Sequence, residues 1–384
     1  MVDMSLRILH VSQPTDAGVA VCVAQDIADQ TARGWHVVLA CPPDSWLSRG
    51  ALGEGVDVRP WKASRSPGPG MLGETIRLRR VLRATRPHLL HLHSSKAMLA
   101  GRLAARGRVE TVVQPHAWSF EAVAPPWNIW ATAWERAAAR WTSAILCVSE
   151  AERQRGEGAG IVGRYVTTPN GVDLVAFPLP GPDDRAAARR RLGSPAAADA
   201  PLAVCVGRLS AQKGQDVLVE CWPRVRSTLP EAQLVLVGDG PARFDLAQRA
   251  STGVHLVGAS GDVRSWLTAA DVVVCPSRYE GMALVPLEAM ACGRSVVASD
   301  IPANAETLPP EAGALVSCDD LPALAAAIAA RLADVARADA EGRVGRAHVE
   351  AHHDVRSTTA AIAALYCEIL AGGSTGAPAG SPMA

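Results

Sequence analysis

Two glutamates, Glu280 and Glu288, stand eight positions apart in the stretch SRYEGMALVPLEAMACG. An apolar run with strand character, AADVVVCPS, leads into them. Glu280 precedes Gly281, and Glu288 lies in the helix-forming run that follows. That order of strand, carboxylate, glycine and helix suits an anion site. A helix starting just after Gly281 turns its first backbone N–H groups towards the strand end, where they and the helix dipole attract a phosphate. Gly281 permits close backbone approach, and Met282, Ala283 and Leu284 follow it with further amides. Pro286 falls in the first turn, where proline is tolerated. Carboxylates accept hydrogen bonds from hydroxyls but do not bind phosphate. Glu288 therefore suits a ribose diol, and Glu280 a hydroxylated group beyond the phosphate. A phosphate flanked by two polyols is a nucleotide sugar. Alone, the two glutamates read more readily as solvated or helix-capping side chains.

They are not alone. LAVCVGRLSAQKGQDVLVE places Arg208 and Lys213 between a strand and a helix. Two cations at a strand end suit a diphosphate, the guanidinium as a fork and the ammonium as a compact charge. Of 38 basic residues only Lys62, Lys96 and Lys213 are lysines, so one of three stands here. In the first half, His116 follows an apolar run in VVQPHAWSFE, and Gly18 lies between a first strand and a helix in SQPTDAGVAV. His91 and His93 share one face of a strand. They read as packing and polar contacts on the acceptor side or as half of a metal site, for which the sequence offers no obvious third ligand.

These residues need elements to hold them. Strands are predicted over 7–12, 35–41, 89–93, 111–115 and 144–149, and again over 202–207, 233–238, 255–258, 272–276, 295–299 and 314–317. Helical patterns alternate with them, among them 20–33, 71–85, 216–229, 283–292 and 321–332. Such alternation makes parallel sheets covered on both faces, and such sheets bind ligands at the carboxyl ends of their strands. The fold class is α/β, with two doubly wound Rossmann-like domains facing across a cleft. The expected boundaries are 1–178 for an acceptor-side domain and 179–355 for a donor-binding domain. Residues 356–371 are expected to form a helix packing back on the first domain, and 372–384 a disordered tail. VGDGPAR has the first two glycines of a dinucleotide fingerprint, but Arg243 stands where the third belongs, which argues against nicotinamide chemistry.

With 384 residues, 48% of them hydrophobic, a mean hydropathy of +0.10 and no net charge, the chain can bury large cores and lacks the basic balance of a nucleic-acid binder. No run reaches the ~18 apolar residues of a membrane span. Nine cysteines without close pairing read as buried thiols of a reducing cytoplasm. Trp127, Trp130, Trp134 and Trp141 form one helical stripe near Arg136 and Arg140. The stripe reads first as core and second as a peripheral membrane contact. The arginine-rich run IRLRRVLRATR reads as a solvated face or as attraction to an anionic surface.

In order and spacing, TPNGVDLVAF, GRLSAQKG, LVLVGDGPAR, VHLVGAS and AADVVVCPSRYEGMALVPLEAMACG resemble the retaining GT-B glycosyltransferases of family 4. The resemblance runs from the first strand to about Tyr366 and is strongest from Asn170 to Asp300. It implies transfer of a sugar from a nucleoside-diphosphate sugar to an acceptor hydroxyl. Arg208 and Lys213 would neutralise the donor diphosphate, the amides after Gly281 would bind phosphate, Glu280 would contact the donor sugar, and Glu288 would hold the ribose. His116 would hydrogen-bond the transferred sugar. Gly18 would sit near the donor phosphate, although Ala17 replaces the first of the family's two adjacent glycines there. The base would be read by loop backbone around Gly258, with a UDP-sugar favoured over a GDP-sugar. No cofactor or metal is expected. The acceptor is a lipid-linked sugar, an oligosaccharide or a small metabolite, used in cell-surface polysaccharide or glycolipid synthesis in the cytoplasm or at the inner face of the membrane. Another GT-B activity, such as an epimerase or phosphorylase, and a non-catalytic nucleotide-sugar sensor are the competing readings.

Overall fold

The computed structural model describes residues 6–49, 52, 56–65, 68–121, 123–181, 183–193 and 200–373. The expected disordered tail lies outside them except for 372 and 373, which close the last helix. The chain divides into two units, one formed by 1–169 with 356–384 and the other by 170–355.

The first unit follows the order β1 (Arg7–Ser12), α1 (Ala17–Ala32), β2 (His36–Cys41), β3 (Asp57–Pro60), α2 (Met71–Thr85), β4 (Leu89–His93), α3 (Ser94–Ala105), β5 (Glu110–Gln114), α4 (Trp127–Ala138), β6 (Ala144–Cys147), α5 (Glu150–Gly158) and β7 (Tyr165–Thr167). All seven strands are parallel, in the order β3-β2-β1-β4-β5-β6-β7. The order reverses between β1 and β4. Alternation along a strand sends neighbours to opposite faces. Leu9 and Val11 enter a core with Leu90, Leu92 and Met98, while Ile8 enters another with Leu89, Val112 and Leu146. Short polar edge strands β3 and β7 gave no apolar run and were not predicted. Two buried ion pairs brace the helices, Lys96 with Glu74 at 2.6 Å and Arg102 with Glu135 at 2.5 Å.

The second unit begins with α6 (Asp184–Leu192) and continues β8 (Leu202–Val206), α7 (Gln215–Thr228), β9 (Gln233–Val237), α8 (Arg243–Arg249), β10 (Val254–Gly258), α9 (Val263–Ala269), β11 (Val272–Cys275), α10 (Leu284–Ala291), β12 (Ser295–Ser299), α11 (Pro302–Thr307), β13 (Gly313–Val316), α12 (Leu321–Ala333) and α13 (Val335–His352). Its six parallel strands run β10-β9-β8-β11-β12-β13, reversing between β8 and β11. Several predicted elements coincide with the observed ones, among them β1, α2, β4 and β12, and the others differ by one to three residues at their ends.

The division falls at 169/170, earlier than the expected 178/179. Residues 170–178 belong to the second unit because their backbone is tied into it. Val172 pairs with His353 and Val355, and Arg346 donates to the Phe177 carbonyl at 3.0 Å. α14 (Val355–Gly373) returns to the first unit, where Ile362, Leu365, Tyr366 and Ile369 complete the core around Ile8 and Leu146. The tryptophan stripe divides. Trp134 and Trp141 are partly buried with ring centroids 6.2 Å apart, but Trp127 and Trp130 are each 69% exposed, so the core reading fails for those two. Among the described residues no helix is long and apolar enough to cross a membrane.

Leu365→Ala is expected to cost about 3 kcal/mol through the cavity it leaves under β1 and β6. Equilibrium urea unfolding measures it, and a loss within error of zero would mean that α14 does not pack as described.

Candidate functional site

In the second unit the predicted residues converge where the strand order reverses, the place at which loops leaving neighbouring strands diverge and open a crevice. The loop after β8 carries Arg208 and Lys213, and the loop after β11 carries Glu280 to Ala283. Lys213 ends a 3-10 turn, Ala211–Lys213, and Gly214 follows with φ +67°. A Cβ on Gly214 would lie 1.9 Å from the Pro276 carbonyl oxygen, so only glycine lets the two loops approach this closely.

Lys213 donates from Nζ to Glu280 Oε1 at 2.6 Å. Burial works against the ammonium, but Glu280 more than offsets it and leaves the Lys213 pKa above its ordinary value. Half-buried Glu288 differs, because its carboxylate accepts no hydrogen bond among the described residues. Burial lifts its pKa to about 7 against the pull of Lys213. The Arg208 guanidinium likewise forms no hydrogen bond or ion pair with them. Helix α10 starts at Leu284, one residue later than predicted, with Ala283 as a cap residue that offers no side-chain hydrogen bond. A small open pocket lies here, lined by Val206, Lys213, Gln215, Ser277, Ala283 and Pro286 among others. Gly258 ends β10 with φ +83°, and its carbonyl accepts from the Gly238 amide at 2.8 Å.

Three residues that hold this site were not singled out in the sequence. Asn170 donates to the Met282 carbonyl at 2.8 Å, and its own carbonyl bonds His353 at 3.0 Å. Arg278 joins the loops by pairing with both oxygens of Asp216 at 2.9 and 2.8 Å and donating to the Ala211 carbonyl at 2.8 Å. Buried Gln215 donates to the Arg208 carbonyl at 3.1 Å and folds that loop back. Asn170 stands in the quoted TPNGVDLVAF. Its bond spans 112 residues, which local pattern does not reveal.

In the first unit Gly18 lies in the first turn of α1 rather than before it. Ala17 begins the helix with φ +63°, the left-handed conformation that a glycine would hold without strain. His116 has φ +52°, and burial lowers its pKa to about 3. Buried Glu152 fixes its loop by accepting from the Ala117 amide at 2.6 Å and the Val148 amide at 2.9 Å. The missing third histidine is present: His10 lies opposite His91 on β1, donating or accepting at 2.9 Å with His93.

Residues 17–171 match the family described as glycosyl transferase 4-like domain, and residues 200–334 match glycosyl transferases group 1. An alpha-maltose-1-phosphate synthase of Mycolicibacterium smegmatis is 32% identical over 291 residues, 67% of this chain and 73% of that protein. The chain belongs to the group 1 glycosyl transferases, family 4 of the GT-B fold. A second relative of this glycosyl transferase chain, the GDP-mannose-dependent monoacylated alpha-(1-6)-phosphatidylinositol monomannoside mannosyltransferase of Corynebacterium glutamicum, is 36% identical over 197 residues. That match covers 48% of this chain and spans about half, 51%, of the relative's own length. The structure of sucrose-phosphate synthase from Thermosynechococcus elongatus superposes with a TM-score of 0.80 at 26% identity, covering 96% of this chain and all of that one.

Because the Glu288 pKa is raised above its unfolded value, the stability tied to its protonated form is full below pH ~4.5 and lost as pH rises through about 7. Glu288→Gln is therefore expected to melt with wild type at pH 5 and above it at pH 8. Thermal melts at the two pH values check this, and a variant less stable at pH 8 would contradict it.

Proposed function

We propose that the protein is a retaining glycosyltransferase that moves a hexosyl group from a nucleoside-diphosphate sugar to an acceptor hydroxyl. One observation carries this reading. At the reversal point of the second sheet, Lys213 and the uncapped start of α10 line a pocket, and the adjoining loop and helix carry the Arg208 guanidinium and the Glu288 carboxylate, neither of which bonds another described side chain. The cations and amides suit a diphosphate, and the carboxylate suits a vicinal diol.

Each residue takes one role. Arg208 and Lys213 hold the diphosphate, aided by the amides of Gly281, Met282, Ala283 and Leu284. Glu288 accepts from the ribose hydroxyls. Glu280, steadied by Lys213, faces the transferred sugar. His116, neutral at pH 7, bonds a sugar hydroxyl, and Gly18 lets backbone approach the donor. As the glycosidic bond breaks, negative charge grows on the leaving phosphate, and Arg208, Lys213 and the start of α10 stabilise it. The acceptor hydroxyl attacks from the same face, and its proton passes to the departing phosphate oxygen. No protein nucleophile enters this scheme, and no metal is assigned to the transfer step.

A UDP-sugar, expected from the sequence, and GDP-mannose, in the name of the C. glutamicum relative, are the two donors to separate. Gly258 and the backbone after it contact the base. A lipid-linked acceptor at the inner membrane face fits that relative's phosphatidylinositol mannoside. It also fits an apolar patch of Trp127, Ile129 and Trp130 exposed on α4 beside Arg136 and Arg140.

Lys213 is paired with buried Glu280, so Lys213→Ala disturbs both binding and stability. Arg208→Ala is the cleaner test. It is expected to leave the unliganded melting temperature unchanged and to lower turnover about 10²–10³-fold. A thermal-shift panel of UDP, GDP, ADP and their sugars should give a shift with one nucleotide that Arg208→Ala abolishes. No shift with any of them, or an equal shift in the variant, overturns the site. Replacing Trp127 and Trp130 by serine is expected to reduce co-sedimentation with anionic vesicles, and unchanged sedimentation rules out that contact.

A further inference from the structure

Beneath the first unit's own reversal point lies a cluster that the proposed transfer does not use. Register pairs His10 with His91 and Ser12 with His93 across β1 and β4, so the three histidines project from one sheet face. All three are fully buried. Ring centroids stand 5.3 Å apart for His10 and His91, 5.2 Å for His10 and His93, and 3.9 Å for His91 and His93. Each ring offers one nitrogen, and these lie within 4.8 Å of one another.

The other nitrogen of every ring is already held. His10 Nε2 bonds Gln30 Oε1 at 2.8 Å, His91 Nδ1 bonds the Tyr366 hydroxyl, and His93 Nδ1 lies 3.4 Å from His116 Nε2. What remains inside is His10 Nδ1, His93 Nε2 and His91 Nε2. The first two share one hydrogen bond at 2.9 Å. His91 Nε2 is buried with no partner. A buried imidazole nitrogen without a partner costs free energy, and here it sits among two other imidazoles.

We propose that His10, His91 and His93 bind a divalent first-row transition metal, zinc in the first instance, as a structural centre of the first unit. Neutral imidazole is the ligand form such ions favour, and outer hydrogen bonds that orient each ring are the usual companions of metal-bound histidine. Gln30, Tyr366 and His116 supply that outer layer. In the bound state each ring carries its proton on the outer nitrogen: His10 donates to Gln30, His91 to the Tyr366 oxygen and His93 towards His116. The His93 proton moves from Nε2 to Nδ1 when the metal replaces the His10–His93 hydrogen bond. A tetrahedral zinc needs nitrogens ~3.4 Å apart, so rotation of the rings draws the present set together. Buried Asp26 on α1 has one carboxyl oxygen without a partner and lies near Tyr366, but burial raises its pKa to about 8, so the centre rests on the three imidazoles and not on a counter-charge. The centre links β1 and β4 directly, and α1 and α14 through Gln30 and Tyr366.

The test uses the whole chain without a polyhistidine tag, stripped with chelator and then equilibrated with Zn²⁺ or Co²⁺. After desalting, one equivalent of zinc per chain is expected by mass spectrometry. The cobalt form should show the visible absorption of a tetrahedral nitrogen site, and zinc should raise the melting temperature. His91→Asn should lose the equivalent. If that variant does not fold, Tyr366→Phe keeps the packed ring and is expected to weaken zinc about 10–100-fold. His348→Asn with His352→Asn, in the second unit, should leave the stoichiometry unchanged. Folded wild type that retains no zinc overturns the proposal. So does a full equivalent in folded His91→Asn, unweakened binding in Tyr366→Phe, or loss of zinc in the His348 and His352 variant.

Discussion

A parallel sheet must bury both faces, so nearly every strand is followed by a helix that crosses to one side or the other. Where strand order reverses, two successive crossovers leave in opposite directions, and the carboxyl ends there are the one place the helices do not cover. This constraint governs both units. In the second it brings together Lys213 and Glu280, which are 67 residues apart, at 2.6 Å. In the first it puts His10 opposite His91. The open polar groups of the second unit sit where the covering of the sheet is interrupted, whereas the three histidines of the first lie fully buried beneath the corresponding point.

The electrostatics follow from the same geometry. Glu152 in the first unit and Glu288 in the second are both carried towards pH 7 by burial, but their surroundings differ. Glu152 accepts two backbone amides and serves as a strut for the His116 loop. Glu288 has no such partner among the described residues, which leaves its carboxylate open for the ligand proposed for it. Charge at the site is thus divided between groups that hold the loops, such as Arg278 with Asp216, and groups left open, such as Arg208.

Most of the fold was legible because buried parallel strands are nearly continuous apolar runs, and β1, β4, β8 and β12 all announce themselves that way. The edge strands β3 and β7 did not, being short and partly exposed. The glycines and charges of the second unit's site were legible because each lies in a short motif next to a strand end. Asn170, Arg278 and Gln215 were harder, since their work is to bond carbonyls and carboxylates brought near by tertiary folding. His10 gave no signal at all, for its partners are 81 and 83 residues away across a strand pairing. Trp127 and Trp130 share a helical period with Trp134 and Trp141, and periodicity alone does not say which part of a stripe faces the core.

The return of α14 to the first unit has a further consequence for how the chain is made. Residues 170–355 form an uninterrupted unit, whereas the first unit lacks Ile362, Leu365, Tyr366 and Ile369 until the residues after 355 are synthesised. Domains generally fold from the N-terminus as they emerge from the ribosome at roughly 5–20 residues per second. Here the order inverts. The apolar underside around Ile8, Leu89 and Leu146 stays open for roughly ten seconds or more while the inserted unit is built, so of the two units the one begun earlier is completed later.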